Sequence, residues 1–177
     1  KRVMVTLGPG SFSGLRTGVA FCQGLCFSGK RELYGVTTLQ ALACFAHDVA
    51  GNTSACTDVA GIKSAGTAAG KECAETAVVI RARTGFWYMR LNGEEFFIET
   101  PEVIERIKNA KVKAIVADAP AQEDEALKAA FAEIGASVSP DTGKPLDMWV
   151  PLFSTVKPSL IQEANYIQPS YFEKLKS

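Results

Sequence analysis

The chain has 177 residues, of which 47% are apolar and 21% charged, with 19 Lys plus Arg balancing 19 Asp plus Glu. That is enough chain to bury a core without staples, and the balanced charge supplies no basic field able to hold a polyanion unaided. Five cysteines without a Cys-x-x-Cys pair read as reduced, mostly buried thiols of a cytoplasmic protein, no apolar run approaches the roughly 18 residues of a membrane helix, and a single histidine, His47, excludes two-histidine metal sites.

Arg2 to Leu7 is a β-rich run that stops at Gly8-Pro9-Gly10, a strand ending in a tight turn. Lys1 opens directly on that strand and is no initiator Met, so a further N-terminal portion is expected to precede it. Leu15 to Ser28 carries Leu15, Val19, Cys22, Leu25 and Cys26 at helical spacing, with Gly29 where a C-terminal cap belongs. Leu33 to Val36 predicts a second strand, and Thr37 with Gln40 three residues on predicts a capping box opening a helix over Leu39 to Val49.

Gly51 to Gly70 holds little apolar surface to offset the entropy of ordering it and predicts a flexible surface insertion. Thr76 to Arg83, Phe86 to Leu91 and Glu95 to Glu99 read as an antiparallel meander joined by Thr84-Gly85 and Asn92-Gly93, the second a dipeptide that favours a primed turn. Alternation along the middle strand predicts that at least one of Phe86, Trp87 and Tyr88 is exposed. Pro101 opens a helix to about Ala110, Val112 to Ala117 is a buried-type strand, and Glu123 to Ile134 is a helix ended by Gly135. The tail is broken by Pro151 and Pro158, and one short terminal helix is expected after Pro158.

The richest signal is Gly8-Pro9-Gly10-Ser11-Phe12-Ser13-Gly14-Leu15-Arg16-Thr17-Gly18, placed between a strand and a helix where free amides and the helix dipole attract anions. A Walker loop needs Lys then Ser or Thr after its last Gly, but Leu15 and Arg16 follow Gly14. The dinucleotide fingerprint needs Gly where Ser13 stands and an acid where Val36, Thr37 and Thr38 stand. A nucleophile elbow needs glycines two residues either side of the serine, which neither Ser11 nor Ser13 has. What remains is a helix capped by Ser11 or Ser13, with Gly14 and Gly18, then Ala20 and Gly24, each four apart. Such small-residue faces suit close approach of a second helix, and they equally suit packing of this helix on its own sheet. Cys22 and Cys26 share a helix face, but two thiols without further ligands make a poor metal site. Arg106, Lys108, Lys111 and Lys113 form a local basic cluster of the kind that usually stays solvated.

The undecapeptide from Gly8 to Gly18 resembles the Gly-Pro-Gly-Ser-Phe-Thr-Gly-Leu-Arg-x-Gly signature of the bacterial TsaB (YeaZ) family, with Ser13 in place of Thr. Cys22 to Leu25 and Tyr34 to Ala43 resemble that family's next segments. Further on, Ile80 to Tyr88 is similar to its Ile-Asp-Ala-Arg-x-Gly-Glu-x-Tyr run, with Arg81 for Asp and Phe86 for Glu. Asn165 to Pro169 resembles its terminal Tyr-Leu-Arg, with Gln168 for Arg.

The resemblance implies an α/β fold of the actin, sugar-kinase and heat-shock-chaperone (ASKHA) type, two-lobed, with the first lobe lacking about sixty residues, or three strands and a helix. Residues 1–50 are then the remainder of the first lobe, 51–72 the insertion and 73–177 the second lobe. The function it implies is that of a non-catalytic scaffold for the transferase TsaD in threonylcarbamoyladenosine modification of tRNA, within a complex that includes a TsaE-like ATPase. The chain alone is expected to bind no cofactor, with ATP confined to a shared interface of the complex. It is expected to pair as a heterodimer with TsaD and as a homodimer in isolation, and to meet tRNA only through the complex. The contact surface implied is Gly10, Ser11, Phe12, Gly14, Leu15, Arg16, Gly18, Ala20 and Gly24, with no catalytic residue and no metal ligand. The alternatives are a nucleotide-binding phosphotransferase of the same fold, with phosphate at the glycine turn, and a glycoprotease-like peptidase, which one histidine serves poorly.

Overall fold

A computed structural model describes residues 1–49, 76–140 and 152–167, so the insertion expected over residues 51–72, Cys56 and Cys73 lie outside the described residues, as do the side chains of Cys44 and His47. The chain runs β1 (Arg2–Thr6), α1 (Phe12–Cys26), β2 (Glu32–Val36), α2 (Thr38–Val49), β3 (Thr76–Arg83), β4 (Phe86–Leu91), β5 (Glu94–Glu99) and α3 (Thr100–Asn109). It continues through β6 (Ala114–Ala117), α4 (Ala119–Glu123), α5 (Glu125–Ile134), β7 (Ser137–Pro140) and α6 (Leu152–Thr155).

Two sheets result: β1 and β2 pair in parallel, and a mixed five-stranded sheet has the order β5-β4-β3-β6-β7. The β3-β4-β5 meander is antiparallel, whereas β6 joins β3 and β7 joins β6 in parallel. Both meander turns are made by glycines at positive φ, Gly85 at 76° and Gly93 at 81°, the latter preceded by Asn92 at 50°, the primed geometry expected of Asn-Gly.

Alternation along the strands sorts the core. Val5 and Leu33 face α1 with Val19 and Cys26, while Met4 and Val36 face Ala41 of α2 and Leu152 of α6. In the larger sheet, Val78 and Val116 face Leu39 and Leu42 of α2, and Val79, Met89 and Ile115 face Val103, Ile107, Leu127 and Phe131 of α3 and α5. Helix α2 thus buries opposite sides against the two sheets, which is why its apolar positions run almost all round.

The structure departs from the sequence reading in four places. The helix expected over Glu123 to Ile134 starts two residues later as α5, because the Asp124 backbone is extended and its carboxylate accepts from Leu127 N at 3.1 Å, and a short helix, α4, that was not expected precedes it. Strand β7 gives no clear signal because Ser137 to Pro140 is short and mostly exposed at the sheet edge. Of the aromatic run, Trp87 is buried and donates to Thr100 Oγ1 at 2.8 Å, while Phe86 and Tyr88 are both half-buried, since Phe97 of the neighbouring strand lies against each ring. No helix follows Pro158 in the described residues: the short helix is α6, before that proline, and residues 159–167 run extended as a strap. Their backbone is satisfied elsewhere, Ser159 N donating to Leu33 O at 2.9 Å and Asn165 N to Leu7 O at 2.7 Å, which leaves no drive to close helical turns.

Within the basic cluster, Arg106 pairs with Glu102 at 2.7 Å and Lys108 with Glu133 at 2.7 Å, both on the surface. No described helix is long and apolar enough to cross a membrane.

Asp118 ties β6 to β3 and opens α4, accepting from Ala121 N at 3.0 Å and from Arg81 N at 2.7 Å. Asp118→Ala should lower unfolding free energy by about 1–2 kcal/mol, the usual loss for such a cap, read as a lower urea midpoint at unchanged slope. Asp118→Asn should recover part of it.

Candidate partner-docking face on α1

The glycine turn is built by crowding. Gly8 sits at φ 112°, and a Cβ there would stand 2.8 Å from Leu15 Cδ1 and 2.9 Å from Asn165 O, so glycine is required on both conformational and steric grounds. The Gly8-Pro9 peptide is cis. The Gly8 carbonyl accepts from Thr38 N at 2.7 Å and the Pro9 carbonyl from Thr38 Oγ1 at 3.3 Å, so the turn is stitched to the start of α2. Ser11 rather than Ser13 is the cap of α1: its backbone is non-helical, its carbonyl accepts from Leu15 N at 2.8 Å and its hydroxyl faces Gly14 N at 3.5 Å. That choice starts the helix three residues earlier than the apolar periodicity alone predicts.

Thr37 performs one half of the expected capping box, its hydroxyl accepting from Gln40 N at 3.0 Å. The reciprocal half is absent among the described residues, because the Gln40 amide, 1% exposed, has no partner there.

The expected contact residues separate by where α1 turns them. Val19 and Cys26 are buried, and Leu15 is half-buried, its methyl groups lying over Gly8 and Gly10. Gly10, Ser11, Phe12, Gly14, Arg16, Ala20 and Gly24 are exposed. Gly18 is half-buried by its neighbours, yet a Cβ there would meet nothing within 4 Å, and the same is true of Gly24. Gly18 and Gly24 therefore point outward, and packing against the described residues does not explain them.

Two large residues on or next to this face, Phe21 and Phe27, escaped the sequence reading, and Leu25, read there as part of the apolar stripe with Val19 and Cys26, is turned outward instead. Phe21 is 65% exposed, Phe27 is 81% exposed and Leu25 also lies open. Gly14, Gly18, Phe21 and Leu25 recur at helical spacing along one outward stripe, so the face is a pair of glycine hollows followed by an apolar knob. The signal was available: Phe21 lies on the face opposite Val19 and Cys26. The stripe ends beside a shallow cavity of about 180 Å3 between Phe27, Arg31, Leu33, Pro158 and Leu160. At the other end, the Arg16 guanidinium lies 4.4 Å over the Phe12 ring, which is 5.2 Å from the Tyr166 ring.

Burial first, and then the adjacent Cys26, push the Cys22 thiol above its ordinary value, which keeps it neutral and unsuited to act as a nucleophile or metal ligand near neutral pH.

Residues 1–69, which include the glycine turn and α1, match the family model described as TsaD, tRNA N6-adenosine threonylcarbamoyltransferase. No curated protein sequence matches the chain. Among solved structures, YeaZ from Pseudomonas aeruginosa is 26% identical over 57% of this chain and 43% of its own, with a TM-score of 0.38, so the chain spans less than half the length of that protein. A protein described as uncharacterized, with similarity to peptidase YEAZ from Pseudomonas aeruginosa, is 18% identical over 94% of this chain and 73% of its own, with a TM-score of 0.54, and shares the fold.

The two glycines of the turn and the helix predict opposite responses to one substitution. Gly8→Ala should destabilise by about 1–3 kcal/mol through overpacking and a disfavoured φ, whereas Gly18→Ala should stabilise by up to about 1 kcal/mol through helix propensity. Thermal unfolding of the two variants reads both signs. Residues 1–69, the glycine turn and α1 included, thus resemble the TsaD family model, and the chain as a whole shares its α/β fold with the YEAZ-like protein.

Proposed function

We propose that the chain works in threonylcarbamoyladenosine modification of tRNA as the non-catalytic partner of a TsaD-type transferase, and that the outer face of α1 is where the transferase docks. The observation that carries this reading is that face itself: glycines with open space above them beside exposed Phe21, Leu25 and Phe27. An apolar stripe of this kind is costly to leave in water, and aromatic anchors next to backbone hollows suit a helix packed at close range. The same face serves a homodimer in isolation, in competition with the transferase.

Balanced charge supports contact with tRNA through the complex rather than through this chain alone. The single histidine supports a scaffold over a metallopeptidase.

The test is binding to the TsaD homologue from the same cell, measured by calorimetry on the purified pair. Gly18→Leu and Phe21→Asp should each weaken binding about ten- to a hundredfold, or about 1–3 kcal/mol, with the melting temperature within a few degrees of the parent. Unaltered affinity in folded variants would remove α1 from the interface.

A further inference from the structure

The rim of the α1 face depends on a carboxylate that is nowhere near it in sequence. Tyr166 lies on the strap, and its hydroxyl accepts from Arg16 Nε at 3.3 Å while its ring packs 5.2 Å from Phe12. All three side chains are exposed, so little packing holds them. The strap itself is held at the preceding residue. Asn165 N donates to Leu7 O at 2.7 Å, and Asn165 Nδ2 donates to Glu95 Oε2 at 2.7 Å.

Glu95, on β5, has a side chain 9% exposed, and its other oxygen accepts from Arg90 Nη1 at 3.1 Å and from the Thr37 hydroxyl. Arg90 also donates to Gly93 O at 3.1 Å. One carboxylate therefore gathers the meander, the start of α2 and the strap. A buried carboxylate draws its donors in strongly, because each loses water on burial and regains a charge-assisted bond.

From this we infer that Glu95 is a positioning residue for the docking face: by holding Asn165, it fixes the strap so that Tyr166, Arg16 and Phe12 stand as a preformed aromatic and guanidinium rim beside the small-residue stripe. The consequence is that the partner meets side chains already ordered and does not bear the entropy of ordering them. The inference rests on the reading of α1 as the transferase-docking face.

The test joins a readout that needs no partner to one that does. Hydrogen exchange of residues 159–167 in the free protein should speed up about tenfold or more in Glu95→Gln and in Asn165→Ala, while the amides of α1 keep their protection. Affinity for the TsaD homologue should fall about tenfold in Glu95→Gln. In a double-mutant cycle with Tyr166→Phe, the combined loss should be smaller than the sum, because both changes break the same rim. Asn165→Ala leaves the Arg90 to Glu95 pair intact and serves if Glu95→Gln unfolds. Unchanged strap exchange in a folded Asn165→Ala, or additive losses in the cycle, would overturn the positioning role with the docking face untouched. Absence of any binding by the unmodified protein would instead overturn the docking face and the role of the rim within it, whatever the strap does.

Discussion

The Glu95 carboxylate is the constraint around which the described parts of the chain are arranged. It faces Arg90 across the antiparallel register of β4 and β5, so a cross-strand ion pair that would contribute little on the surface is here drawn inside. A lone buried charge would cost several kcal/mol, and Thr37 and Asn165 supply the remaining donors that make burial tolerable. Those donors come from the loop between β2 and α2 and from the C-terminal strap. The carboxylate thereby specifies how three distant segments meet, and the hydrophobic contacts of α2 with both sheets supply the bulk of the adhesion.

Close approach is the theme of the glycine signature, but it serves two purposes within eleven residues. Gly8 admits the strap carbonyl and the Leu15 methyl into a space no Cβ could share, an internal need. Gly35 does the same on β2, where a Cβ would stand 2.8 Å from Leu7 Cδ1 and would also meet the Gln162 side chain. Gly18 faces the other way, where no described atom lies within 4 Å of a Cβ. A single signature thus couples the internal seat of the strap to an external helix face, and a change at the turn would disturb both.

The strap makes the coupling physical. It runs in the direction of β2, touching Leu33, then Gly35 through Gln162, then Leu7 and Gly8, with Gln23 of α1 donating to Gln162 O at 3.0 Å along the way. Because its own backbone bonds go to strand ends, its order is borrowed from its surroundings, and Tyr166 inherits that order at the edge of the outer α1 face.

Much of this was legible in the residues. Period-3.6 and period-2 patterns placed α1, α2, α3, the meander and β6, because each buries one face or stripe and side-chain periodicity records that directly. Asn92-Gly93 and Gly135 were readable because positive φ selects glycine and asparagine whatever the surroundings. The outward small residues of α1 were readable as a face, and the glycine segment carried the family resemblance. What local pattern could not contain is anything decided by a partner far along the chain. The stretch after Pro158 has no periodicity of its own to reveal that Leu33 and Leu7 will take its amides, so a helix was the reasonable expectation and an extended strap the outcome. Glu95 reads as one more exposed acid in a charged hairpin, since burial of a charge depends on donors 58 and 70 residues away. The sequence by itself determined which segments become helices and strands and which glycines must be glycine, because those choices rest on backbone sterics and local periodicity. Only the tertiary structure decided which carboxylate is buried and which aromatic residues are left facing water, because both depend on which surfaces the folded chain brings together.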